Sequence, residues 1–166
     1  MAIDLSGGRA EGWPEITAVL EALLLDALTS DTRRIVALDP DFCAWPLSHP
    51  PLLDALRDWG RRGSRRLELA APSWEACSRR HSRLHAWRKG FDHFLDIREF
   101  HPQDAGMEWP TALLAVQGGV SLRVIELEHG RARWSRHGPD RQAALELFDA
   151  IAQRSSPAWP LTTLGL

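Results

Sequence analysis

Apolar residues recur along this chain at two spacings, one typical of helices and one typical of strands. In four segments they stand three, four or seven residues apart, which gives each segment one apolar face. Pro14 suits the first turn of the first helix, and Ser73 suits the N-cap of the third. The predicted helices cover residues 13–28, 49–63, 73–91 and 139–154.

Short apolar or alternating runs that end at proline, glycine or charged residues predict the strands. Two of them flank Gly118 and Gly119, which predict a tight hairpin turn with a positive φ at both positions. The predicted strands cover residues 2–5, 33–40, 65–72, 94–100, 111–117 and 120–128. Residues 131–137 are a candidate for one more strand, after the turn at His129 and Gly130, and are not counted in the order that follows.

The resulting order of elements is β-α-β-α-β-α-β-β-β-α. It predicts an α/β fold with a mixed, largely parallel sheet, helices on both faces and an antiparallel hairpin at one side. We expect a single domain over residues 1–166, in which 155–166 form an irregular tail because two prolines interrupt that segment.

The composition limits which cellular compartments and which kinds of partner we expect for this protein. The formal net charge is −2, whereas a dedicated nucleic-acid binder is usually basic. Cys43 and Cys77 form no Cys-x-x-Cys pair, so we expect neither a disulfide framework nor a zinc site. We also expect no cofactor. The longest apolar run contains Glu21 and Asp26 and is too short to span a membrane. With no signal-peptide pattern at the start, we expect a cytoplasmic protein.

Several local patterns carry a resemblance to a known fold. LDPDF closes an early strand, RRLELAAP precedes a helix containing HSRLH, and the apolar LLAV runs into a turn. Together with the element order, from about Ile16 to Ile151, this resembles one repeat of the phospholipase D-like fold. It looks most like the single degenerate repeats of uncharacterised prokaryotic proteins.

The resemblance also implies where a catalytic motif belongs. The active family carries His-x-Lys-x-x-x-x-Asp on the strand before the hairpin turn, and two such motifs form one site. If Gln117 stands at the aspartate position, the histidine and lysine positions fall on Pro110 and Ala112. The single lysine of the chain is Lys89, and Trp87 stands two residues before it, so no register of this sequence contains the motif.

The segment Ser78 to Lys89 offers two other kinds of site. His81 and His85 stand four residues apart, which suits two ligands of one metal ion, although neighbouring arginines repel a cation. The segment has no acid, and with residues 61–66 it forms either a phosphate-binding patch or a solvated helix face. The anion-binding candidates are Arg79, Arg80, Arg83, Arg88 and Lys89.

Polar residues that follow the predicted strands are the remaining candidates, since ligands of open α/β sheets bind beyond the carboxyl ends of strands. Asp39, Asp41 and Gln117 are candidates for a strand-end pocket. His101 and Asp104 are weak catalytic candidates for an acid–base pair, although both also suit ordinary turns.

Three functions agree with these patterns. The first is a non-catalytic binding or scaffold domain of phospholipase D-like fold. The second is an arginine-lined binder of a phosphate-bearing ligand or nucleic acid, and the third is a hydrolase with an unrelated site near His101 and Asp104. We also expect a symmetric homodimer, since single repeats of the active family pair about a two-fold axis and an unpaired strand edge tends to find a partner.

Overall fold

The computed structural model describes residues 2–90, 93–103 and 112–158 of the chain. Thirteen helices and strands follow one another in these ranges. In chain order they are β1 (Gly7–Glu11), α1 (Trp13–Thr29), β2 (Arg34–Leu38), α2 (Pro50–Gly60), β3 (Arg66–Ala71), α3 (Glu75–Arg80), α4 (Ser82–Arg88), β4 (Leu95–Glu99), β5 (Ala112–Val116), β6 (Ser121–Glu126), β7 (Arg131–Ser135), α5 (Gly138–Ala152) and β8 (Ser156–Pro157).

All eight strands belong to one mixed sheet with the order β1-β7-β6-β5-β2-β3-β4-β8. The predicted α/β class is confirmed, but the sheet is not largely parallel. Among the described strands, β2–β3 and β3–β4 are the two parallel pairings, and the other five are antiparallel. The reason is local, because helical crossovers link β2 to β3 and β3 to β4, whereas glycine turns join β5 to β6 and β6 to β7.

Helices cover both faces of the sheet, as predicted. Helices α1 to α4 contribute to the larger apolar core, which includes Leu20, Leu56, Trp59 and Leu84. Helix α5 packs Phe148 and its apolar neighbours against the opposite face, over β2 and β5. No helix in the described part of the chain is long and apolar enough to cross a membrane.

The first strand lies at Gly7–Glu11, so the prediction of a strand at residues 2–5 was wrong. Two glycines begin this strand and hide its pattern from sequence analysis. A Cβ atom at Gly8 would stand 2.5 Å from the indole of Trp134, which pairs with Gly8 on the neighbouring strand. The glycine is therefore required by the close approach of that ring.

The predicted helix over 73–91 is divided into α3 and α4 at His81, which has φ −117° and ψ 60°. The predicted turn at 118–119 is present, but only Gly118 has a positive φ, of 74°. The tail does not begin irregularly, because Ser156–Pro157 pair with β4 and Arg98 binds Ser155. Residues 159–166, and with them most of that tail, lie outside the described residues.

Gly60 should be intolerant of a methyl group even though it lies in a helix. A Cβ atom there would stand 2.1 Å from the ring of Phe94, which is buried and packs edge-on against Trp59 and Trp87. Helix propensity alone favours alanine by about 1 kcal/mol. We expect Gly60→Ala instead to lower the free energy of unfolding by about 1–3 kcal/mol, since the ring cannot withdraw.

Urea denaturation followed by circular dichroism measures this effect. Gly138→Ala at the start of α5 is the matched control, because its Cβ would meet only the Arg141 guanidinium at an ordinary 3.7 Å. The control should change stability by less than about 0.5 kcal/mol. A Gly60→Ala variant more stable than the parent protein would show that the aromatic cluster is not rigid.

Candidate functional site

The start of β5 is the structural position at which the resemblance expects catalytic residues. Leu113 pairs antiparallel with Leu38, so β5 begins beside the carboxyl end of β2. Ala112, the lysine position if Gln117 stands at the aspartate position, is fully buried and pairs with Val124 of β6. Pro110 and Asp104 lie outside the described residues. The described end of this strand therefore presents apolar side chains to the core.

Asp39 follows β2 at the same edge and is almost fully buried. One carboxylate oxygen accepts hydrogen bonds from the backbone N–H groups of Asp41, at 3.0 Å, and Phe42, at 2.7 Å. The other accepts from the Trp45 indole at 3.0 Å. Burial raises the pKa of Asp39, while the hydrogen bonds act in the opposite direction. The carboxylate thus holds the loop after β2 in place.

Asp41 and Cys43 line a small cavity of about 310 Å³ beside Asp39, between Trp13 and Leu127. Burial, and after it the charge of Asp41, raises the pKa of the Cys43 thiol. The thiol therefore stays protonated at neutral pH and is a poor nucleophile. Two carboxylates also make the cavity unfavourable for a phosphate group.

Gln117 does not join this edge. It follows β5, which runs antiparallel to β2, so it lies at the opposite end of the sheet. Its N–H group donates to the Arg34 carbonyl, and its own carbonyl accepts from the Thr32 hydroxyl at 2.8 Å. His101 is exposed after β4. The sequence-derived strand-end candidates consequently form no single pocket.

His81 is buried between the α3–α4 junction and the loop after β2. Its Nε2 lies 2.9 Å from the Phe42 carbonyl, and its Nδ1 lies 2.6 Å from the Ser48 hydroxyl. A carbonyl accepts only, so Nε2 carries the proton and Nδ1 accepts from Ser48. Both ring nitrogens are therefore engaged with the protein. His81 therefore has a structural role, because it fixes the break between α3 and α4.

The arginine-rich segment divides into exposed and buried members. Arg79 forms an exposed ion pair with Glu75, and Arg88 is buried, so Arg88 is not available to a large anion. Arg80, Arg83 and Lys89 are exposed. From the neighbouring loop, Arg62 donates to the carbonyls of Leu28 and Ser30. The described cations here make a weaker patch than the sequence suggests.

A second group of arginines was not predicted from the sequence. Arg9, Arg123 and Arg133 lie opposite one another on β1, β6 and β7 and are exposed. Alternation within RARWS already places Arg131 and Arg133 on one face of a strand. The sequence does not reveal the register that brings Arg9 and Arg123 alongside, because both belong to other strands.

Three potential metal ligands lie together among the described residues, namely Glu126, Glu128 and His129. They are on the β6–β7 turn, and the Glu126 carboxylate accepts a hydrogen bond from the His129 N–H group at 3.0 Å. That bond is the main cause of the lowered pKa of Glu126. Exposed acids of this kind serve as turn caps, and we assign no metal to them.

Comparison with solved structures identifies the fold. Nuc from Salmonella typhimurium, a phospholipase D family member, has a TM-score of 0.60 and 11% identity over 93% of this chain and 100% of its own. NucT from Helicobacter pylori has a TM-score of 0.60 and 7% identity over 92% and 99%. TrmBL2, an archaeal chromatin protein, has a TM-score of 0.64 and 12% identity over 92% of this chain and 54% of its own. The chain has the phospholipase D-like fold.

Comparison with known sequences does not assign the chain to a family. No family model matches the chain. A curated relative, the centrin-binding protein SFI1 of Toxoplasma gondii, is 36% identical over 128 residues, or 70% of this chain. The chain spans only 3% of the length of that relative. Its fold is therefore better defined than its ancestry.

The role of His81 predicts a pH-dependent contribution to stability. Burial lowers the pKa of His81 below its usual 6.5, so the folded protein holds the ring neutral where the unfolded chain binds a proton. The contribution of His81 is complete above pH 6.5 and declines as the pH falls through that value. We expect His81→Ala to cost about 1–3 kcal/mol at about pH 7.5, because the buried Phe42 carbonyl loses its donor.

Urea denaturation of both proteins at several values between about pH 7.5 and 5.5 checks this. The difference between parent and variant should shrink toward the acidic end. His129→Ala, at an exposed ring, is the control and should show a difference near zero throughout. A His81→Ala difference that does not change with pH would contradict the neutral, hydrogen-bonded ring.

Proposed function

We propose that this protein is a non-catalytic binding domain built on the phospholipase D-like fold. The observation that carries the proposal concerns the lysine of the motif. If Gln117 stands at the aspartate position, the lysine position falls on Ala112, which is fully buried on β5, between β2 and β6. A methyl group has neither a charge for a phosphate nor a proton to transfer. The single lysine of the chain, Lys89, lies instead just after α4.

The chemistry at the carboxyl edge of β2 supports the same proposal. Both carboxylate oxygens of Asp39 accept hydrogen bonds from the loop at residues 41–45. A general base needs a free oxygen within reach of a substrate. Burial raises the pKa of the neighbouring Cys43 thiol. The thiol therefore stays protonated at neutral pH and is a poor nucleophile.

The solved structures of similar fold include both an enzyme family and a DNA-binding protein. Nuc is described as a phospholipase D family member, and TrmBL2 is described as a chromatin protein with a novel mode of DNA binding. The fold is thus compatible with binding as well as with catalysis. A chain without the motif residues fits binding rather than catalysis.

A symmetric homodimer remains a prediction. One premise for it was wrong, because the hairpin strands β5 and β6 lie inside the sheet and β1 is the outer strand on their side. At the other side, Ser156–Pro157 and Ala158 return to β4 of the same chain. Among the described strands, the outermost ones are therefore β1 and the short β8.

The proposal predicts no hydrolysis of phosphodiesters. Highly purified protein should release nitrophenolate from bis(4-nitrophenyl) phosphate at the rate of buffer alone, because no nucleophilic histidine is paired with a lysine. The measurement is the absorbance of nitrophenolate over several hours, with and without added divalent metal ions.

The matched variant for this assay is His101→Ala. It removes the exposed histidine that, with Asp104, is the weak catalytic candidate of the sequence. Both proteins should be equally inactive. Turnover by the parent protein that disappears in the His101→Ala variant would contradict the proposal and favour a hydrolase with a site after β4.

A further inference from the structure

One half of the sheet carries exposed arginines on the face that α5 only partly covers. Helix α5 packs its apolar residues over β2 and β5. On the same face of β6 and β7, Arg123 and Arg133 are exposed, and Arg9 of the outer strand β1 is exposed as well. We call these three residues the arginine row.

The strand register brings the arginine row together. Arg133 of β7 pairs with Arg9 on one side and with Arg123 on the other. Directly opposed residues of neighbouring strands point to the same face, and neighbouring strands lie about 4.8 Å apart. The row therefore places three guanidinium stems across about 10 Å of the sheet.

No carboxylate of the described residues forms an ion pair with any of the three, although ten ion pairs occur elsewhere in those ranges. Three acids lie near the row without forming an ion pair with it. Glu11 and Glu126 stand beside Arg131 in the strand register, and the Asp140 carboxylate accepts a hydrogen bond from the Ser135 hydroxyl at 3.2 Å. Like charges that oppose each other directly destabilise a sheet, so an anion bound at the row would relieve this repulsion.

A groove of about 330 Å³ runs between the arginine row and the start of α5. The row lies on one side of it, and Ala143 and Ala144 of α5 lie on the other. Ser121 and Ser135 add hydroxyl groups, and Asp140 adds one carboxylate against the three arginines. Arginine binds phosphate through two parallel N–H groups, which suits such an arrangement of donors. The described lining has Trp134 as its aromatic residue, and this indole is buried against the opposite core, so it is not available for base stacking.

We propose that the arginine row binds the phosphate backbone of duplex DNA without reading its sequence. A duplex carries one negative charge per about 1.7 Å of axis, so several phosphates meet a row about 10 Å wide. Contacts to phosphate alone, without exposed aromatic rings, are typical of sequence-independent duplex binding rather than of single-strand binding. This inference rests on the proposed binding function and names its ligand class.

Fluorescence anisotropy with a labelled duplex of about 20 base pairs tests the proposal between about 50 and 200 mM salt. Three phosphate contacts contribute about 2.7 to the slope of log affinity against log salt, which equals about 40-fold over that range. The variant Arg9→Gln, Arg123→Gln, Arg133→Gln should lose this part of the salt dependence and at least about tenfold in affinity at the lowest salt.

The matched control is Arg79→Gln, Arg80→Gln, Arg83→Gln, which removes the same charge from the α3–α4 segment. It should bind within about threefold of the parent protein. The row variant should keep its melting temperature or raise it, because repulsion within the row is removed. If it does not fold, the single variant Arg133→Gln should still lower affinity severalfold.

Absence of binding at the lowest salt, a row variant that binds like the parent protein, or an equal loss in the control variant would each overturn the arginine row as the DNA site. The DNA recovered from each titration is run on a denaturing gel. Intact DNA is expected. Cleaved DNA would count against the non-catalytic function and would leave the row to be judged by the affinities.

Discussion

The antiparallel pairing of β2 with β5 is the constraint on which the rest of this molecule depends. It joins three parallel strands to four antiparallel ones, with Ile35 opposite Val116 and Leu38 opposite Leu113. Every residue of β5 is buried, and its neighbours on both sides are strands. The strand on which the resemblance expects the catalytic motif therefore lies at the centre of the core.

That pairing also decides which side chains meet at each end of the sheet. It places the start of β5 beside Asp39 and sends Gln117 to the opposite end, next to Arg34. Arg34 in turn binds Glu68 of β3 at 2.6 Å and Asp149 of α5 at 2.5 Å. These ion pairs fix the last helix over β2 and β5, and they leave the outer antiparallel strands β1 and β7 with their arginines exposed.

Sequence analysis predicted most of the fold, because apolar periodicity reports which face of an element is buried. It located α1, β2, β3 and α5 to within a few residues. It failed where tertiary contacts override local pattern. Gly7 and Gly8 obscure β1 because an indole fills the space of a missing side chain, and His81 ends α3 because its ring binds a distant loop.

The candidate site was less predictable from the sequence than the fold, because a site depends on strand register and strand direction. Asp39 and Gln117 both follow strands in the sequence, but those strands run in opposite directions. The arginine row joins residues that lie far apart in the chain, since Arg9 pairs with Arg133, and no local pattern encodes that pairing.

Native-state hydrogen exchange resolved by residue tests the scaffold role of β5 most directly. Catalytic and ligand-binding segments usually belong to the less stable parts of a protein, whereas central strands open only on global unfolding. The measured quantity is the opening free energy of each backbone amide in Ala112–Val116. We expect these amides to be among the slowest to exchange, together with those of β2. Exchange of β5 at the rate of the surrounding loops, while β2 stays protected, would contradict it.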